Sequence, residues 1–442
     1  MQKSLFVRAA IIALLILLLL IPLGLIQGIV SQRQGLQRQV EHIIAESSAG
    51  SQRIAGPVLV VPYTEHETVV TTDDKGKKST QVIDHARRMY FVPEKLVYDG
   101  AATVEPRYKG IYKALTYQTK GSIRAQFDVP AHLGFGSKVA ITVGNAWLAM
   151  GLSDLRGLNG SPRIQWDDAA LSAAAGARFE PLGDGIHAGV GVLDVQEKRQ
   201  HESTIALDLA GSSVLSFAPV AKNTQVQLRA TWPHPNFGGR FLPQSRQIDA
   251  AGFSARWEIS HLANKNGALL AQGSERTVLE AFDVSFIEPV NIYLQAERAV
   301  KYGILFVALT FFAFFLFETL KNLRIHPLQY GLVGLALAVF FLLLVSLSEH
   351  LPFVYAYAAA SSACVALVTY YLAHVLRGWW RGIAFGAKLA VLYGVLYGLL
   401  LSEDNALMLG SFLLFLVLAV VMVLTRRIDW YRLPESDADA QP

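Results

Sequence analysis

The chain has one cysteine, Cys364, so it cannot form an internal disulfide, and any part of it that faces an oxidising compartment must stand on its hydrophobic core alone. It has no concentrated basic surface beyond the short Lys75–Lys78 turn, and a turn of that size is ordinarily just solvated. Nucleic acid is therefore not an expected partner. The zinc-protease HExxH, the phosphate-cradling GxxxxGK[ST], the nucleophile elbow GxSxG and the dinucleotide GxGxxG are all missing. Charge is scarce in the last third of the chain, where five long apolar runs follow one another: Gly303–Leu320, Leu328–Leu347, Phe353–Leu376, Ile383–Leu401 and Ala406–Thr425. At 1.5 Å per residue, about 20 residues cross the hydrocarbon layer, so each run is long enough to span it.

The short loops between these runs alternate in charge. Lys321 and Arg324 occupy the first, Arg377 and Arg381 the third, and Arg426, Arg427 and Arg432 follow the last run; Glu349 marks the second, and Glu403 with Asp404 the fourth. Lys and Arg at every other face are the signature of cytoplasmic loops. At the N-terminus, Lys3 and Arg8 precede an uncharged run from Ala9 to Ile26. The alternative, a cleaved signal peptide, fits less well, because this core is longer than a signal core and no small-x-small site follows it. The reading is six crossings of an inner membrane with both termini cytoplasmic. Residues 1–30 would form a signal anchor, 31–300 a periplasmic domain, 301–432 a five-helix bundle and 433–442 a disordered tail. With 39 Lys and Arg against 35 Asp and Glu overall, the cytoplasmic loops account for most of the excess, and the exported part is nearly neutral.

The exported part reads as β-rich. Residues 34–49 continue the first crossing as a helix that Gly50 stops. Period-two alternation follows, with Ile123, Ala125, Phe127 and Val129 on one face, then Val226, Leu228, Ala230 and Trp232, then Phe253, Ala255, Trp257 and Ile259; Val139–Val143 and Ile205–Leu209 are shorter examples. Half-buried antiparallel strands show this pattern. Asp73-Asp74-Lys75-Gly76 suits a hairpin turn between Val69–Thr72 and Ser79–Ile83. The expected fold is thus a six-helix transmembrane α bundle with a large all-β, sandwich-like domain inserted between the first and second crossings, divided into two lobes around residues 150–185, where the alternation lapses.

Candidate chemistry is sparse. In Glu65-His66-Glu67, strand alternation sends the carboxylates to one face and the imidazole to the other, which favours a solvated edge over a metal site. Trp232-Pro233-His234-Pro235 must end its ladder, since two prolines remove two donors. That segment is either a platform showing Trp232, His234 and Phe241 to a partner or a corner steering the chain between sheets, and a cis bond before either proline is open. Of the ionisable groups in the apolar runs, Glu318 suits an interfacial ion pair with Lys321, and Lys388, His374, Glu349 and His350 can also reach an interface, so a midplane proton relay is not indicated. Ser361, Ser362 and Ala363, with Gly394 and Gly398, suit close helix packing; Cys364 suits a small packing residue; Trp379, Trp380, Trp430 and Tyr431 suit an interfacial belt. No catalytic residue, cofactor or metal ligand is indicated.

Several separate motifs carry a family resemblance: Gly56-Pro57-Val58-Leu59-Val60-Val61-Pro62, Trp232-Pro233-His234-Pro235-Asn236-Phe237, Phe241-Leu242-Pro243, Phe317-Glu318-Thr319-Leu320, His326-Pro327-Leu328-Gln329-Tyr330, Ser348-Glu349-His350 and Arg427-Ile428-Asp429-Trp430-Tyr431. Across its whole length the chain resembles the CreD family of bacterial inner-membrane proteins. The resemblance implies a role in cell-envelope integrity linked to the CreBC two-component regulon, with β-lactam response and colicin tolerance as associated phenotypes, and it implies no catalytic residues. The expected function is non-enzymatic binding of an envelope protein, lipid or other envelope component, with the inner-membrane lipids around the bundle. Two other classes stay open: a transporter or lipid handler with a chaperone-like exported domain, and a periplasmic hydrolase assembled from distant residues.

Overall fold

In the computed structural model, residues 2–72, 78–136, 139–273, 278–288, 291–320, 325–376, 378–401 and 406–425 are described. The expected turn at Asp73–Gly76, most of the charges that set the expected orientation (Lys321, Arg324, Arg377, Glu403, Asp404, Arg426, Arg427, Arg432), the belt residues Trp430 and Tyr431, and the tail lie outside them. The chain forms two compact units, Gln37–Pro289 and the pair of segments Met1–Leu36 and Val290–Pro442.

The first unit is built on two sheets. One runs β14 (Pro235–Gly239), β17 (Phe282–Phe286), β12 (Val214–Ala218), β1 (Gln52–Thr72), β6 (Asn145–Leu152), β10 (Gly185–Val192), β9 (Ala173–Ala175), with β2 (Lys78–Phe91) and β5 (Ala140–Val143) also paired to β1. The other runs β15 (Ser245–Asp249), β16 (Gly252–Ser260), β13 (Asn223–Ala230), β3 (Lys95–Lys109), β4 (Tyr112–Val129), β11 (Arg199–Ser212), β7 (Arg163–Trp166), β8 (Ala169–Leu171). The two sheets pack face to face through aromatic side chains: Tyr98 on Phe217 with ring centroids 4.8 Å apart, Tyr117 on Phe286 at 5.0 Å and Trp257 on Phe282 at 5.0 Å. These contacts join the inner faces of a sandwich, and each alternating set expected from the sequence points into it, Ile123, Ala125, Phe127 and Val129 being at most 1% exposed.

Two details differ from the expected all-antiparallel layout. β1 pairs with β12, and β3 with β13, in parallel. Alternating burial is the same for either strand direction, so the pattern in the sequence carries no information on it. The sheet that holds β1 is also covered on both faces there, since Val58, Leu59, Val60 and Val61 are all 0% exposed; a continuous apolar run replaces alternation where neither face meets water. Just before it, Gly56 takes φ +100° and a cis bond to Pro57. A Cβ at Gly56 would press on the Ala149 carbonyl of β6, and the β1–β6 register shifts between Ala55 and Val58. The strands of the hairpin do pair as expected, Thr72 opposite Lys78.

A short helix, α2 (Asn266–Ala271), completes this unit, and its buried Asn266 ties the end of β12 to the start of β17 by donating to the carbonyls of Pro219 and Glu280 and accepting from the Glu280 amide. The other unit is helical: the N-terminal part of α1 (Gln2–Ser47), α3 (Ile292–Leu320), α4 (Pro327–Ser348), α5 (Phe353–Val375), α6 (Trp379–Leu401) and α7 (Ala406–Thr425). Among the described residues five helices, α1 and α3 to α6, are long and apolar enough to cross a membrane. Their core joins Leu19 and Leu23 of α1 to Phe311 and Phe314 of α3, Phe340 and Phe341 of α4, and Tyr393 of α6.

The packing residues are not the ones expected. A Cβ on Gly394 or Gly398 would meet nothing, whereas a Cβ on Gly382 or Gly386, four residues apart on the same helix, would collide with Ala373 and Thr369 of α5. Ser362 and Ala363 are exposed. Helical spacing of four selects both glycine pairs equally; which pair faces the partner depends on how α6 is rotated, and that is a tertiary choice.

Candidate functional site

The residues singled out from the sequence divide between the two ends of β14: Trp232 and His234 precede Pro235, opposite Phe286, while Phe241 follows Arg240, whose amide donates to the Ala281 carbonyl at the far end of the strand. β13 ends at Ala230, in one sheet, and β14 begins at Pro235, in the other, so Thr231–His234 is the crossover between sheets. The Trp232 indole donates to the Ile287 carbonyl at 2.9 Å and its ring meets His234 edge-on at 6.1 Å. Phe241 is half-buried, packed on the core, and its carbonyl accepts from the Trp257 indole at 3.3 Å. His234 is exposed, as is Leu242 (68%) beside Phe241. The corner itself presents the His234 imidazole beside the Trp232 ring. Among the described residues the cis X-Pro bond is at Gly56–Pro57, so both prolines of this segment are trans.

Glu65-His66-Glu67 is split by strand alternation into separate pairs. His66 sits 2.6 Å from Asp84 and 2.8 Å from the Thr142 hydroxyl, while Glu67 and Glu65 face His85 (3.2 Å) and Arg87 (3.6 Å) on the other face of the β1–β2 ribbon. No group of side chains that could hold a metal ion occurs among the described residues.

Sequence reasoning missed a polar groove on the outer face of the second sheet. It has two lobes, of about 460 and 380 Å³, which share Lys120 and Asn159. The segment Leu155–Pro162 runs beside β11, on the edge that β7 continues, and Asn159 makes the divide: Leu158 bridges to Leu209, and the Asn159 amide and side chain both donate to Asp208, at 2.9 Å to its carbonyl and 3.0 Å to its carboxylate. Gln118 adds a bond to the same carboxylate at 2.8 Å, and the Lys120 ammonium lies 3.6 Å away. Partial burial alone would push the Asp208 carboxyl up; the bonds from Gln118 and Asn159 and the charge of Lys120 outweigh it, and the group lies below the usual carboxylate range. The outward positions of alternate residues on three strands could have been read from the sequence, but nothing there indicates that the 155–162 segment runs beside β11.

At the groove's inner end the backbone is pinned by two buried polar groups. Gln52, 1% exposed, donates to the carbonyls of Asp154 and Ala210 at 2.9 and 3.0 Å. Asp154 accepts from the Arg156 guanidinium (2.7 Å) and from the Gly50 amide (3.0 Å), and these bonds hold its carboxyl down to about 2.

In the helical unit the acidic residue expected at the interface is internal. Glu318 is 4% exposed and accepts from the Tyr330 hydroxyl at 2.6 Å and the Ile325 amide at 3.4 Å; Lys321, its expected partner, lies outside the described residues. Next to it His326 caps α4, its ring accepting from Leu328 while Gln329 reaches back to its amide. Glu349 takes Arg33 of α1 at 3.2 Å and the Tyr293 hydroxyl of α3 at 3.4 Å. Cys364 is buried, as expected of a packing residue, and also accepts from the Tyr393 hydroxyl at 3.1 Å. Between α5 and α6 lies an apolar groove of about 530 Å³, lined by Tyr357, Ser361, Ser362, Tyr393, Gly394 and Tyr397.

Residues 4–431 match the family model described as inner membrane protein CreD. The chain is 37% identical over 430 residues to the inner membrane protein CreD of Escherichia coli strain K12, an alignment that takes in 96% of this chain and 94% of that one. Two structural features sit on the motifs that first suggested the kinship: the buried GPVLVVP run of β1 and the Glu318–Tyr330 pair. The chain belongs to the CreD family of inner membrane proteins.

Proposed function

We propose that the protein supports cell-envelope integrity by binding, not by catalysis: its helices anchor it in the inner membrane, and the two-sheet unit meets envelope components on the outer side. On this reading α7 is a sixth crossing, both termini are cytoplasmic, residues 31–300 are periplasmic, and the link to the CreBC regulon, β-lactam response and colicin tolerance extends to this chain. The observation that carries it is that an inner membrane protein devotes Gln37–Pro289 to a two-sheet unit with a contiguous buried hydrophobic core of its own and ion pairs at its surface. The partner-contact residues are Trp232, His234 and Phe241, on the face that carries β14: the exposed His234 imidazole stands beside the Trp232–Ile287 bond at one end of that strand, and Leu242 beside the Trp257–Phe241 bond past the other. In-cell photocrosslinking from positions 234 and 242 tests this. Capture of an envelope protein or lipid, abolished by His234→Ala with Leu242→Ala, supports it; no adduct from either position sinks it. A reporter fused after residue 425 must read out in the cytoplasm, and a periplasmic signal there overturns the orientation.

The α5–α6 groove favours a second reading, lipid handling by the bundle. Its wall of tyrosines and small residues can take an acyl chain, with Ser361 and Ser362 offering hydroxyls to a headgroup. Photoactivatable phospholipid crosslinking to Ser362 that a bulky Gly394→Leu blocks would favour it over the binding role.

A further inference from the structure

The groove divided by Asn159 runs a long way across the second sheet. Arg163 on β7 is level with Ala206, Ser122 and Asp99 on the successive strands β11, β4 and β3, and Arg107 lies eight residues further along β3. At about 4.8 Å per strand and about 3.3 Å per residue, the two guanidinium-bearing positions are roughly 30 Å apart. Arg107 lines one lobe, Arg163 the other, and Lys120 stands where the lobes meet. Neither arginine has an acidic partner among the described residues, and the carboxylate nearest Lys120, Asp208, already takes bonds from Gln118 and Asn159. Three cations are thus strung along one groove, against Glu105 and a carboxylate that is internally engaged.

Neutral hydrogen-bonding side chains also line it, Thr103, Thr116, Gln118, Asn159 and Ser161, between small residues such as Ala101 and Ala206. No apolar anchor is offered, because Tyr117 is 3% exposed with its hydroxyl donating to the Val214 carbonyl at 2.7 Å. That argues against an acyl chain or a hydrophobic peptide side chain. Strand addition is closed over the centre of the groove, where Thr116–Gln126 of β4 is paired with β3 on one side and β11 on the other. What remains is an extended ligand rich in hydroxyls and bearing negative charges along its length.

We infer that this groove binds an anionic glycan chain, its hydroxyls bonded by Gln118, Asn159 and the threonines and its carboxylate or phosphate groups met by Arg107, Lys120 and Arg163. The inference deepens the proposed role and rests on it for its location in the cell, but the binding itself does not depend on orientation. With no accessible aromatic ring, charge and hydrogen bonds do all the holding, so affinity falls as salt rises.

The test uses the full chain in lipid nanodiscs and two probes of equal length, hexagalacturonate and neutral maltohexaose, followed by calorimetric titration. The acidic probe should bind at least tenfold more tightly than the neutral one. Lys120→Gln should weaken it about tenfold, and Arg107→Gln with Arg163→Gln at least as much, while Arg246→Gln on the outlying β15 should leave it unchanged. Failure of both probes to bind, equal binding of the two, or indifference to the Lys120 and arginine variants overturns the inference. So does preferential capture of anionic phospholipid vesicles with the same variant dependence, which would assign the groove to a lipid surface. An unlocated crosslinking partner at His234 with intact glycan binding would sink the corner assignment and leave the groove standing.

Discussion

The two units solve the same problem, burying polar backbone and side-chain groups, by different means. In the sandwich, burial of large side chains (Trp257, Tyr98, Phe127, Phe282) is the driving term, and the charges stay at the surface in pairs such as Lys198–Asp128 at 2.8 Å and Arg229–Asp99 at 2.8 Å. In the helical unit, apolar surface is plentiful and gains nothing from lipid exclusion, so close packing and internal hydrogen bonds take over. Thr310, Ser348 and Tyr357 donate to carbonyls of their own or a neighbouring helix, at 2.8, 2.6 and 2.6 Å, and Glu318 takes Tyr330. The lesson is that both units bury aromatic rings, while the helical unit also buries a carboxylate, Glu318, against a tyrosine hydroxyl.

The contrast can be tested from its strongest point downward. Trp257→Ala removes the ring stacked on Phe282 and should cost the sandwich about 3–5 kcal/mol in denaturant unfolding; a loss under about 1 kcal/mol would mean that the aromatic interlayer is not the main support. In the bundle, Gly386→Leu drives a side chain into Thr369 and should cost about 1–3 kcal/mol, whereas Gly394→Leu, facing open space, should stay within about 0.5 kcal/mol. Thermal melts of the two variants in one detergent compare them directly, and equal destabilisation would refute the assigned rotation of α6.

An acid titration separates the units by charge. The folded pKa of Asp154, about 2, lies below its ordinary 3.8. Its contribution, about 2 kcal/mol, is therefore complete above the ordinary value and is lost as pH falls from there through about 2. Asp154→Asn should lower the stability of the sandwich at neutral pH and flatten its decline on acidification; an unchanged pH profile would refute the account. A modest loss is expected from Tyr330→Phe, about 1 kcal/mol in the helical unit with no change in the unfolding of the sandwich. A shift in both units would show that they do not unfold independently.

Much of the fold was legible in the sequence because its signals are local. The alternation at Ile123–Val129 and Phe253–Ile259 marks strands buried on one face, and the last four apolar runs mark α4 to α7 to within a few residues, whereas α3 begins at Ile292, eleven residues before its run. Residues 150–185 were hard to read for a physical reason: the strands there are only three or four residues long and are separated by single turns, too short for a period to register. The corner at Trp232–Pro235 was visible through its prolines. The groove was not, since its lining comes from three strands and an adjoining segment that nothing local links.

The order of hydrophobic and charged residues by itself determined which stretches are helices long enough for a bilayer, which are strands, and which face of each strand is dry, because each depends on a residue and its near neighbours. Only the tertiary structure decided that β1–β12 and β3–β13 run parallel, that Gly382 and Gly386 rather than Gly394 and Gly398 meet another helix, that Glu318 is buried against Tyr330, and that Asn159 lies over Asp208. Each of these depends on which distant segment arrives as neighbour, and that is settled by packing the whole chain at once.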